Sequence, residues 1–120
     1  MNDPLARLTF EESGEVVVAH VDGEVESSNA PELRSAIGNR LRHDSAGLVL
    51  DLSGTSYLDS AGVELVFELA RQMRTHRQSL RLVVPVGAPM RRVLDLCDVD
   101  QVAPLDPTVD AALAAIETAR

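Results

Sequence analysis

Hydrophobic positions change their period several times along this chain. Leu8 to Glu11 reads as a short strand and Ser13-Gly14 as a turn. Glu15 to Val21, dense in Val16, Val17, Val18, Ala19 and Val21, reads as a second strand, paired with the first in a hairpin and ended by Asp22-Gly23. The spacing then turns helical: Ala30, Leu33, Ile37 and Leu41 predict an amphipathic helix over 29–42. Ser27, Ser28 and Asn29 offer N-caps for it, and Pro31 sits near the first helical position, where its missing N–H costs nothing.

Leu48-Val49-Leu50-Asp51-Leu52 is an apolar run broken by one acid, the pattern of a central strand covered on both faces. Ser53 to Ser56 reads as loop. From Ser60, Val63, Val66, Phe67, Ala70 and Met73 mark a second helix ending near His76, with Arg71, Arg74 and Arg77 in its last turns. Leu80 to Val84 is another buried strand, stopped by Pro85. Pro89 to Cys97 reads as a helix with Cys97 inward, Val102-Ala103 as a very short edge strand, and Thr108 as the cap of a final helix carrying Val109, Ala112, Leu113 and Ile116. Strands alternating with helices imply an α/β fold: a mixed, mostly parallel sheet of four or five strands with about four helices. Sites in such sheets lie beyond the carboxyl ends of the strands, which selects the loops 22–28, 53–60 and 85–89.

Composition narrows the chemistry. A length of 120 residues suits one domain, 1–120, and 45% hydrophobic residues suit a packed core. Phe10, Tyr57 and Phe67 are the only aromatics, so the core is aliphatic and base stacking has little to work with. A net charge of −8 repels phosphate backbones and anionic membranes. All basic residues are arginine, which excludes a Walker A or Schiff-base lysine. A lone cysteine, Cys97, forms no internal disulfide, and with no apolar run approaching the ~20 residues of a membrane span, a cytoplasmic setting is expected. Met1-Asn2-Asp3-Pro4 lacks the basic and apolar parts of a signal peptide.

The stretch that carries chemistry is LVLDLSGTSYLDSAGVEL, residues 48–65. A buried strand feeds a polar loop, and Asp59-Ser60-Ala61-Gly62 opens a helix. Free N–H groups and the positive dipole end favour negative charge there, so a phosphate on Ser60 would be tolerated by the fold. Ala61 and Gly62 are small enough to admit another protein's active site. Read from local pattern alone, a plain N-cap role for Asp59 or Ser60 is the favoured reading.

These residues resemble the STAS domain family, specifically the anti-sigma factor antagonists. The family carries a D-S-[SA]-G motif opening a helix after a strand, here Asp59-Ser60-Ala61-Gly62. It also carries a G-E-[LV]-[DE] segment after the second strand, here Gly23-Glu24-Val25-Glu26, followed by an alanine and a leucine, here Ala30 and Leu33. The resemblance spans roughly residues 8–117. It implies a switch: a partner anti-sigma factor that is also a serine kinase phosphorylates the serine after the motif aspartate, Ser60. The unmodified protein binds that partner and so frees a sigma factor; the phosphorylated one does not bind until a serine phosphatase restores it. Asp59 would orient the loop. Asp22, Glu24, Glu26, Ala61, Gly62, Val63 and Glu64 would line the contact. Glu26 stands where aspartate is more usual, Ala61 where a second serine is frequent, and Glu64 where a small glycine is often found. Glu64 would restrict which kinase fits or pair with a partner arginine. No cofactor, metal, nucleic acid or membrane insertion is expected, and a weak homodimer is compatible with the sequence.

Competing readings are weaker. A serine nucleophile needs a base, and His20, His43 and His76 fall on a strand of valines and at two helix ends. Gly54-Thr55-Ser56-Tyr57-Leu58 lacks the last glycine of a nucleophile elbow. His20-Val21-Asp22 holds two ligand types with no third marked by spacing. Ser53, Thr55 and Ser56 read as turn formers. The remaining alternatives are a STAS subunit of a lipid-transport ATPase complex or stress-signalling scaffold, and a small nucleotide-binding or hydrolytic enzyme.

Overall fold

The computed structural model describes residues 4–119. Its elements run β1 (Ala6–Ser13), β2 (Val16–Val25), α1 (Ala30–Arg40), β3 (Gly47–Asp51), β4 (Thr55–Leu58), α2 (Ser60–Arg74), β5 (Ser79–Val83), α3 (Arg91–Leu96), a 3₁₀ turn (Val99–Gln101), β6 (Leu105–Asp106) and α4 (Val109–Ala119). The sheet is ordered β1-β2-β3-β5-β6, with β4 pairing β2 beyond the end of β3. β1 runs antiparallel to β2, and every other pairing is parallel. This is the α/β, mostly parallel architecture expected, with the four helices expected and six strands in place of four or five.

Side chains alternate across the sheet and sort into two cores. Val17, Ala19 and Val21 of β2, with Leu48 and Leu50 of β3, face α1 and α2, and Leu94 of α3 and Val99 join the same cluster. Val16, Val18, Val49 and Val83 face the other way, onto Ala112 and Ile116 of α4. The continuous apolar run of β3 thus serves both layers, and all five of its residues are buried.

Four sequence expectations are corrected. β2 does not end at Asp22-Gly23 but runs to Val25. Gly23 adopts φ +126°, and a Cβ there would meet the Leu5 carbonyl oxygen at 2.2 Å. The glycine permits a close strand approach instead of a turn. The stretch read as loop contains β4, paired with β2 through Gly23↔Thr55, Glu24↔Tyr57 and Val25↔Leu58. Its hydroxyl-rich sequence imitates a turn, yet Thr55 is buried and donates its hydroxyl to the Val21 carbonyl at 2.7 Å. The last strand is Leu105–Asp106, not Val102-Ala103. The Val99–Gln101 turn takes up that segment, and Ala103 is fully buried. Cys97, expected to point inward, caps the end of α3 and is exposed.

Candidate functional site

The corner where β4 hands over to α2 is built by backbone bonds. β4 lies beside the end of β2, and the Asp59 N–H continues that pairing to the Val25 carbonyl at 3.4 Å. Asp59 then takes extended dihedrals, and its carboxylate accepts from the Ala61 N–H at 2.9 Å, an N-cap in geometry and chemistry. Ser60 follows as the first residue of a 15-residue helix, exposed to solvent. Its hydroxyl sits where unpaired N–H groups and the helix dipole favour an anion.

The small residues after Ser60 have an internal duty. Gly62 is buried, and a Cβ there would come within 2.5 Å of the Leu58 side chain. Val63 is also buried. Both were expected to line a partner contact; instead Gly62 lets α2 approach Leu58 of β4, and Val63 packs into the core under α1 and α2. Ala61 is half-buried, and Glu64 is exposed, one helical turn beyond Ser60 and 3.1 Å from Arg71.

The acidic segment Asp22, Glu24, Glu26 divides. The β2–β4 pairing brings Glu24 opposite Tyr57, and Val25 opposite Leu58 leads Glu26 toward the Ser60 corner. Glu24 and the half-exposed Tyr57 face solvent there. Glu26 accepts the Ser28 hydroxyl at 2.6 Å. The Asn29 side chain does not cap α1; it accepts from the Glu26 N–H and donates to the Glu24 carbonyl, tying down the loop that carries both acids. Asp22 lies further back, against Gly54, where a Cβ would collide with its carboxylate. Between the starts of α1 and α2 runs an open groove of about 400 Å³, with Ala30, Pro31, Arg34, Ala61 and Leu65 among its walls.

A second polar arrangement is absent from the sequence reading. His20, Asp51 and Glu11 stand on three adjacent strands: His20 Nδ1 lies 2.6 Å from Asp51 Oδ2, and Nε2 meets Glu11 Oε2. Asp51 also accepts from the Ser53 N–H at 3.0 Å, at the start of the loop into β4. Burial alone would push the His20 pKa down, but hydrogen bonds and charge from Asp51 and Glu11 outweigh it, and the pKa rises above 6.5. Burial would raise Asp51, but hydrogen bonds from Ser53 and the bond and charge of His20 hold it below the usual carboxylate value. The signal was in the register: an alternating Val16, Val18, His20 beside Val49, Asp51 places both groups on one face. His43 and His76 meet edge to face, their ring centroids 4.6 Å apart, on the loops that follow α1 and α2, at the pole opposite Ser60. Among the described residues no group of three or more His, Cys, Asp or Glu is arranged to hold a metal. No helix there is long and apolar enough to cross a membrane.

The fold and this corner have relatives. The STAS domain family profile matches residues 7–112. The anti-sigma-F factor antagonist RsfB of Mycobacterium tuberculosis is 30% identical over 114 residues, covering 94% of this chain and 91% of RsfB. The crystal structure of an anti-sigma factor antagonist from Mycobacterium paratuberculosis superposes with a TM-score of 0.80 at 32% identity, over 93% of this chain and 94% of that one. The fold is shared at 21% identity with the anti-sigma factor antagonist SpoIIAA in its unphosphorylated form, with a TM-score of 0.71 over 92% of this chain and 98% of that one. A strand-capped helix opening on Asp59-Ser60, carried on a mostly parallel sheet and matched over nearly its whole length, places this chain in the STAS domain family, beside proteins named anti-sigma factor antagonists.

Proposed function

We propose that this chain is an anti-sigma factor antagonist whose binding is gated by phosphorylation of Ser60. The observation that carries the reading is the exposure of Ser60 at the start of α2, on a corner made rigid by the Asp59 cap and the Gly62–Leu58 contact. The likeness to RsfB supports the choice of partner class. In the unmodified state the exposed Ser60, Glu24, Glu64 and the rim of the α1–α2 groove form the contact with an anti-sigma factor that is also a serine kinase. Phosphorylation adds about −1.5 to −2 charge at a surface already carrying Glu24 and Glu64. A dianion at the centre of a protein contact is expensive to desolvate unless paired, so binding is lost without any large change of shape. A serine phosphatase reverses the step. The chain itself turns nothing over: it is the substrate of the kinase and the ligand of the anti-sigma factor.

Calorimetry with the anti-sigma factor tests this. Ser60→Asp is expected to weaken binding by at least tenfold, about 1.4 kcal/mol. Ser60→Ala is expected to retain binding while mass spectrometry finds no phosphate after incubation with kinase and ATP. Equal affinity of Ser60→Asp and wild type would defeat the charge gate. Stable capture of a transporter ATPase in place of an anti-sigma factor would defeat the partner assignment.

A further inference from the structure

We propose that this chain pairs with a second copy of itself through the free edge of β1, in one register centred on Thr9. β1 ends the sheet, and eight residues of it run beside β2 alone. The Glu24 N–H donates to the Leu5 carbonyl at 2.9 Å, in line with the Ala6↔Gly23 register. Alternation along an antiparallel ladder then turns the N–H and C=O groups of Arg7, Thr9 and Glu11 toward β2. It leaves those of Ala6, Leu8, Phe10 and Glu12 on the open edge, a ready template for another strand.

The sequence of β1 complements itself when reversed. A two-fold axis at Thr9 sets Thr9 against Thr9, Leu8 against Phe10, and Arg7 against Glu11, each unlike pair occurring twice by symmetry. Leu8 and Phe10 already lie half-buried along the α1–α2 core, so their pairing extends apolar surface across the junction. Arg7 has no ion pair among the described residues, so Glu11 of the second copy would supply one. Glu11 uses one carboxylate oxygen on His20 and keeps the other for an arginine. Moving the axis to Glu11 would set Glu11 against Glu11, with like charges directly opposed. Charge therefore excludes the Glu11-centred register and favours the Thr9-centred one, in which Arg7 meets Glu11. The −8 charge of each chain opposes association, which makes the pair weak and concentration-dependent. β1 and β4 flank β2 on opposite sides, so the Ser60 corner stays open in the pair.

The register can be trapped. Directly opposed residues of a non-hydrogen-bonded antiparallel pair have Cα atoms about 4.5 Å apart, within the roughly 4.4–6.8 Å that a disulfide spans. In a Cys97→Ser background, Thr9→Cys is expected to form a covalent dimer under mild oxidation, whereas Arg7→Cys, whose counterpart is Glu11, is not. Equilibrium sedimentation of the otherwise unaltered chain is expected to show a reversible dimer as concentration rises. Arg7→Glu should weaken it on the order of tenfold, because two symmetric pairs become like-charged. Adding Glu11→Arg to Arg7→Glu should restore it. A monomer at every concentration, equal cross-linking at positions 7 and 9, or no rescue by the double exchange would each overturn the proposal.

Discussion

The face of the sheet under α1 and α2 and the face under α4 are built from different chemistry. Under α1 and α2, apolar packing continues to the carboxyl ends of the strands, where Val25 and Leu58 carry it into the Ser60 corner. Under α4, the apolar stripe of Val16, Val18 and Val49 gives way to His20 and Asp51 at the next positions of the same strands. A charge arriving at Ser60 therefore meets a corner backed by aliphatic packing, backbone bonds and the Asp59 cap. The molecule's response to pH is sited on the other face. The contrast fits the proposed gate, in which surface charge alters binding while the fold stays fixed.

The largest effect expected is on the apolar side. Leu50→Ala opens a cavity in a strand residue that is 1% exposed. Chemical denaturation should show a loss of about 2–5 kcal/mol with an unchanged denaturant slope. A loss under 1 kcal/mol would mean that this core collapses around the gap more readily than its aliphatic interdigitation implies. Asp59→Ala comes next. It removes the side-chain acceptor for the Ala61 N–H and should cost about 1 kcal/mol. If Asp59 serves only a partner, stability will be untouched.

His20 tests the polar face. Its folded pKa is raised, so its contribution is fully present below 6.5 and is lost as pH rises through the folded value. Asp51 is depressed, so its contribution holds above 3.8 and is lost as pH falls through the folded value. The paired arrangement is complete between those limits. Wild-type stability should therefore decline, relative to His20→Gln, as pH is raised from about 6 to 8. His43 and His76 remain in both chains and cancel in the comparison. Parallel pH profiles for the two proteins would show that the three-strand chain of Glu11, His20 and Asp51 contributes no linkage.

The two faces were also unequally legible. Helices and central strands followed from period because burial dictated their residues: Val63, Val66, Ala70 and Met73 permit only one helical face, and the β3 run permits only a two-sided strand. The Asp59-Ser60 corner was legible because capping chemistry is local. β4 was not, because Thr55 and Ser56 carry turn-like side chains. Their strand conformation comes from pairing with β2, more than thirty residues away in sequence. The smallness of Gly62 was legible but its purpose was not: the same missing Cβ suits an approaching partner or an underlying Leu58, and only packing distinguishes them. His20 and Asp51 were each visible, but their meeting depends on the parallel register of β2 and β3, which a strand assignment alone does not fix.

The smallest effect on stability is expected at Glu64, and it sharpens the division between folding and binding. Glu64 and Arg71 are both well exposed and lie 3.1 Å apart, and pairs of this kind contribute about 0–1 kcal/mol once solvent screening and side-chain ordering are included. Glu64→Ala should therefore leave the denaturation midpoint almost unchanged. It lies one turn after Ser60, on the rim of the α1–α2 groove, where the proposed partner contact would meet it. Affinity for the anti-sigma factor measured by calorimetry should change several-fold, with a weaker dependence on salt than in the wild type. A shift in stability as large as that of Asp59→Ala would instead make Glu64 part of the scaffold. The Ser60 corner would then lose its separation between a rigid base and a freely variable rim.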